Sequence, residues 1–195
     1  MKKIAILIIL LLSIVTAKAQ VYDGITQPTT YRLIVPVTFD NEPIVAPLFG
    51  YKYAPLKSFS VTPVVQYNLN TETFIPQLWL NYNIKERFYI LSRSILNTRT
   101  EKYFHTLSAT AKLDYGFMID GTWENMYNGK FADRDRLQFV GGFAKDKIVL
   151  NAGYSVRYKS GFIANLRYKV TDWNWLQIKY DGGLNLFSFQ TVLQL

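Results

Sequence analysis

Residues 148–170 read IVLNAGYSVRYKSGFIANLRYKV, and the alternation within them decides the fold. In the first limb Ile148, Leu150, Ala152, Tyr154, Val156 and Tyr158 fall on one phase, with Asn151, Gly153, Ser155, Arg157 and Lys159 on the other. After Ser160-Gly161 the pattern resumes, with Phe162, Ala164, Leu166, Tyr168 and Val170 set against Asn165, Arg167 and Lys169. A period of two marks an extended strand whose faces meet different surroundings, and a short polar break between two such runs marks a hairpin.

The pattern spreads in both directions. Leu137, Phe139, Gly141 and Phe143 oppose Arg136, Gln138 and Gly142 before a turn at Lys145-Asp146. Beyond Thr171-Asp172, Leu176, Ile178 and Tyr180 oppose Gln177 and Lys179; after Asp181-Gly182-Gly183, Phe187, Phe189, Thr191, Leu193 and Leu195 oppose Ser188, Gln190 and Gln194. Upstream, the runs 59–67, 74–82 and 103–113 alternate less cleanly. Together these segments predict about twelve antiparallel strands, at 30–39, 44–53, 58–68, 73–83, 87–97, 103–113, 116–126, 135–144, 147–158, 161–170, 173–181 and 184–195. All seven prolines lie at or before Pro76, and Pro36, Pro47, Pro63 and Pro76 fall inside predicted strands. Proline cannot donate to a ladder, so the first four strands are expected to carry bulges, or one pair to project from the wall, and ten strands is the alternative count.

The N-terminus reads as an address. Met1-Lys2-Lys3 is a basic leader, Ile4 to Val15 is almost wholly apolar, and Ala17-Lys18-Ala19 has the small-x-small form of a signal-peptidase site. Residues 1–20 are therefore expected to be a signal peptide cleaved after Ala19 or Gln20, leaving residues 21–195 as one domain. A retained anchor is the competing reading, but the apolar run falls short of the ~20 residues a spanning helix needs. No later run reaches that length, so any membrane crossing has to use strands. The connections alternate between short turns and longer loops, and hydrocarbon offers no partner to an unpaired N–H or C=O. The expectation is an all-β, closed antiparallel transmembrane barrel.

Composition narrows the classes further. The chain has 195 residues, 49% of them hydrophobic, and no cysteine, which excludes a disordered chain, a disulfide scaffold and a Cys-based zinc module. Setting aside Lys2, Lys3 and Lys18 reduces the formal charge from +8 to +5, too weak and scattered for a nucleic-acid partner. Four Trp, fourteen Tyr and thirteen Phe cluster near predicted strand ends, as at Tyr51, Tyr53, Tyr67, Tyr82, Phe88, Tyr103, Trp123, Tyr127, Tyr158, Trp173 and Tyr180, and read as two interfacial girdles.

The mature chain resembles the small bacterial outer-membrane β-barrel proteins in its signal peptide, its strands of about ten residues and its tight hairpins. The final run, Phe187 to Leu195, is similar to the terminal strand by which the insertion machinery recognises such proteins, but ends in Leu195 and not in an aromatic residue. Within that class the resemblance is nearest to the narrow oligosaccharide-specific porins of about twelve strands. It implies an outer-membrane location in a Gram-negative-type cell, a lipid surround and no cofactor.

Chemistry is sparse. His105 is the only histidine, and Ser108 lies at an odd offset from it and hence on the opposite face, which argues against a Ser-His hydrolase and against any enzyme. One histidine and no cysteine also argue against a metal site. Asp133-Arg134-Asp135-Arg136, with the Asn128-Gly129 turn, reads as a solvated loop tip, Gly141-Gly142 as a point of close approach and Gly182-Gly183 as a tight turn. On the polar phase, Lys112, Arg157, Arg167 and Lys179 are expected to face inward, as are Arg87 and Arg93, with Asp120 and Glu124 as the inward acids. Fixed positive charge in a confined polar conduit favours anions, so the expected function is a narrow passive pore for small or anionic solutes. The alternatives are a non-conducting interaction barrel presenting its loops to a partner and, more weakly, a lipid-modifying enzyme.

Overall fold

A computed structural model describes residues 30–39, 43–85, 87–127, 135–171 and 174–194. The expected signal peptide, Leu195, Trp173 and most of the expected solvated tip, Asn128 to Arg134, lie outside them. The strands are β1 (Thr30–Phe39), β2 (Pro43–Val45), β3 (Leu48–Leu56), β4 (Phe59–Asn68), β5 (Thr73–Ile84), β6 (Phe88–Asn97) and β7 (Lys102–Lys112), followed by β8 (Phe117–Tyr127), β9 (Asp135–Lys145), β10 (Ile148–Arg157), β11 (Gly161–Thr171), β12 (Asn174–Asp181) and β13 (Leu186–Gln194). Each pairs antiparallel with its neighbour, and β13 closes on β1 from Arg32↔Gln194 to Phe39↔Phe187. The short β2 and β3 face β1 in one continuous register, Val37↔Val45 and Ile34↔Leu48, so they are two parts of one stave. The result is a closed barrel of twelve staves, not ten.

The prolines sit where ladders lapse. Pro36 faces Ala46, whose N–H donates to the Pro36 carbonyl at 3.3 Å, but Pro36 has no N–H to return. The Ala46 carbonyl instead accepts the side-chain amide of Gln66 at 3.3 Å. Pro47 occupies the gap between β2 and β3. In β4 the Tyr67 N–H donates toward β3, to Pro47 O at 2.9 Å, so the alternation aims the missing donor of Pro63 at the same strand. There the register passes from Gly50↔Val64 to Tyr53↔Val61 with no pair between, and a bulge follows before Leu56, beside Pro55. Pro76 lies one residue beyond the β5–β6 ladder, which starts at Gln77↔Ile95. The expected irregularity is present, and it interrupts the wall without expelling a hairpin.

Two rims result. Turns of two to four residues join β3–β4, β5–β6, β7–β8, β9–β10 and β11–β12, and connections of three to seven residues occupy the opposite, loop-side rim. Because side chains alternate, one phase of every strand faces a common interior and the other the outside.

Candidate functional site

The outward phase is a belt of large apolar residues. Phe49, Tyr53, Val65, Phe74, Leu80, Ile119, Phe139, Leu150, Phe162 and Phe189 are exposed. Tyr51, Tyr53, Tyr82, Phe88 and Phe117 crowd the turn-side end of this face, and Tyr67, Phe74, Tyr103, Tyr180 and Phe187 the loop-side end. An apolar surface running round the whole molecule far exceeds the patch of a few hundred Å² tolerated in water, and its aromatic borders match a bilayer's two interfaces. His105 lies on this face, against Trp123 with ring centroids 6.0 Å apart. Its Nδ1 is 3.1 Å from Ser94 Oγ and its Nε2 3.5 Å from Ser92 Oγ, so cross-strand hydroxyls serve a ring placed among apolar neighbours. Ser108 points the other way and meets Thr122 Oγ1 at 2.8 Å.

The inward phase is polar for most of its circuit, with one apolar cluster set among polar groups on the proline-bearing side. From β1 to β6, Leu48, Val64 and Trp79 form a buried cluster joined by Ile34 and Leu91. Trp79 Nε1–H donates to Gln77 Oε1 at 2.9 Å, Gln77 Nε2–H to Gln66 Oε1 at 2.7 Å, and Gln66 to the Ala46 carbonyl that Pro36 leaves unserved. This relay satisfies polar groups that burial would otherwise penalise.

The inward bases keep contact with water on the remaining wall. Arg93 Nε donates to Thr106 Oγ1 at 3.0 Å, with its guanidinium carbon 6.0 Å from the Trp79 ring centroid. Lys112 Nζ stands 4.7 Å from the Tyr89 ring centroid, and Arg167 donates to Gln177 Oε1 at 3.3 Å beside Trp175. Each cation lies near the negative face of a ring, which attracts it. Lys179 faces inward opposite Asn165 and Ser188. Asp120 accepts from Thr110 at 2.5 Å and from Thr122 at 2.9 Å, and Glu124 lies 3.5 Å from Arg136.

Two expected residues stand elsewhere. Arg87 is outside the strands, exposed on the turn-side rim and 3.3 Å from Asp114, because β6 starts one residue later, at Phe88. Arg157 ends β10 at the loop-side mouth, its side chain largely exposed and 3.8 Å from Asp135.

The largest correction concerns Arg136, placed by the sequence both on the polar phase of the 135–144 strand and in a solvated tip. It lies near the start of β9, points inward and is 3% exposed. Its Nη1 donates to Asp181 Oδ2 at 2.7 Å, while its Nη2 donates to Asp181 Oδ1 at 2.5 Å and to Ser155 Oγ at 2.8 Å. Asp181 belongs to β12, so the side chains pass over β10 and β11 to meet. Sequence separation hides such a pair: the two residues are 45 apart, and only closure brings them together. Arg32 and Lys52 are also inward and buried, and were equally invisible in the irregular N-terminal strands. Among the described residues no cluster of three His, Asp or Glu forms that could hold a metal ion.

With an outward apolar belt, an inward polar phase and a closed edge established, known structures can be compared. The chain superimposes on a KdgM porin with a TM-score of 0.57 at 11% identity, covering 84% of this chain and 97% of that one. An outer-membrane channel from Pseudomonas putida F1 matches with a TM-score of 0.56 at 10% identity, over 91% of this chain and 100% of that one. The fold is that of an outer-membrane β-barrel. The barrel spans only 55% of a mutant Rhodopseudomonas blastica porin, at a TM-score of 0.47 and 9% identity. No family model and no curated relative matches the barrel's sequence.

Proposed function

We propose that the barrel is a narrow passive pore of the outer membrane of a Gram-negative-type cell, admitting small or anionic solutes. In this reading residues 1–20 are a signal peptide removed on export, residues 21–195 form a single domain, and the terminal strand carries the signal read by the insertion machinery. The apolar belt would lie in lipid, and no cofactor is required.

One observation carries the reading. Arg93, Lys112, Arg167 and Lys179 face inward and are accessible to solvent, and the inward acids are Asp120, Glu124 and Asp181, the last buried against Arg136. A surplus of fixed positive charge along a confined polar path lowers the energy of an anion there and raises that of a cation. At twelve staves the interior lies between the filled eight-stranded barrel and the open sixteen-stranded channel, so a narrow conduit is the expected size class.

Planar-bilayer recording of the mature protein tests the proposal. Discrete conductance steps with anion preference are expected, and Arg167→Glu/Lys179→Glu should shift the anion-to-cation permeability ratio by about threefold or more toward cations. Unchanged selectivity in that variant would defeat the assignment of these residues. A second reading, a non-conducting barrel, draws on the complete burial of Lys52, Thr62 and Ser155, at 0% exposure on the inward phase. Silent bilayers containing correctly folded protein would favour it.

A further inference from the structure

We infer that the Arg136–Asp181 pair is a strap that sets the size limit of the conduit at its loop-side mouth. The inference rests on the pore reading and adds to it the residues that define the bore.

Three observations converge on that corner. First, the pair is a two-pronged bridge between strands that are not neighbours, so it spans the curvature of the wall from β9 to β12 and removes the space beneath it. Second, the fill continues around it. Ser155, wholly buried, accepts from Arg136, donates to the Gly161 carbonyl at 3.1 Å and accepts the Gly161 N–H at 3.0 Å, while its cross-strand partner Gln138 is buried as well. Third, the β10–β11 and β12–β13 connections close over the corner at backbone contact. A Cβ on Gly161 would stand 2.2 Å from Gly183 N, and one on Gly183 would stand 1.8 Å from the Lys159 carbonyl oxygen. Asp181 ties the two levels together, because its Oδ1 also accepts the Leu184 N–H at 3.2 Å.

Stability alone is a weak reason for such a bridge. Burying an ion pair costs desolvation that its attraction barely repays, and apolar residues of the same volume often serve as well. The bridge does deliver a fixed cross-wall distance, and the Arg136 charge is offset there by Asp181 and by Glu124 at 3.5 Å. Arg136 therefore narrows the mouth without adding to the anion-attracting field, which is left to Arg93, Lys112, Arg167 and Lys179. Bore and charge preference are thus held by different residues.

The experiment compares wild type, Arg136→Ala/Asp181→Ala, Asp181→Asn and, as a rim control, Asp114→Asn, each confirmed as folded by heat-modifiable gel mobility. The readouts are single-channel conductance and liposome swelling with uncharged sugars of increasing size. The double variant removes both charges together and should raise conductance about twofold or more and admit a larger sugar, with little change in charge selectivity. Asp181→Asn should give a smaller rise together with stronger anion preference, because it removes one fixed negative charge while Arg136 and Glu124 remain; it carries the test if the double variant does not fold. A conducting wild type matched by both strap variants would overturn the strap and leave the pore standing. A silent wild type with a conducting double variant would support the strap as a closed mouth and overturn the passive pore. Silence in all variants would overturn both.

Discussion

Between β1 and β5 the lumen is filled by Leu48, Val64, Trp79 and a chain of amides, whereas between β8 and β12 it is filled by Arg136, Asp181, Ser155 and glutamines. The first wall has ladders interrupted at prolines and an apolar cluster set beside the buried Arg32 and Lys52. The second has ladders that are regular but for one shift near Thr171, and its buried Arg136 is matched by an acid across the wall. The difference teaches that a closed sheet tolerates broken backbone pairing where a side chain can replace the missing donor, as Gln66 does for Pro36. It tolerates buried charge where an opposite charge can reach across the curve. Neither device is local in sequence, and each depends on closure.

The comparison breaks most severely at the charged wall. Asp181→Ala alone leaves the Arg136 guanidinium buried without its bidentate partner, and an expected loss of about 3–5 kcal/mol should appear as a lower urea midpoint for unfolding in detergent. Removing both charges in Arg136→Ala/Asp181→Ala should cost less than this single change, and a double variant weaker than Asp181→Ala would refute the pairing.

At the apolar wall the expected effect is smaller and depends on its background. Gln66→Leu orphans the Ala46 carbonyl and breaks the relay from Trp79, at a cost of about 1–3 kcal/mol. In a Pro36→Val background the strand regains its own donor, so the same change should cost measurably less. Equal costs in the two backgrounds would show that Gln66 does not stand in for the proline. The least effect is expected on the turn-side rim, where Arg87→Gln breaks an exposed pair with Asp114 that water and salt already screen. Its unfolding midpoint should match wild type within error, and a clear shift would mean that the rim carries structural weight assigned here to the lumen.

Much of the wall was legible in the sequence, though unevenly. From Leu137 onward the alternation placed the strands, their outward faces and the inward Arg167 and Lys179, because period two directly reports which side of a sheet a residue occupies. In the proline-bearing half the same rule was blurred, and Arg32, Lys52 and the inward Trp79 passed unnoticed. Arg136 was read twice, on the polar phase of the 135–144 strand and in the solvated tip Asp133-Arg134-Asp135-Arg136, and spacing alone did not show which reading its side chain follows. His105 was rightly placed on the outward face, but its serine partners belong to the preceding strand and could not be seen from spacing along β7.

The sequence by itself determined the strands, their two faces and the sheet's need to close, because alternation and the demands of backbone hydrogen bonding act residue by residue along the chain. Only the tertiary structure decided the stave count, the register across β1 and β13, and which inward charges are buried and which are reached by water. Those outcomes depend on the distance between staves far apart in sequence, which is fixed only when the sheet has curved into a ring.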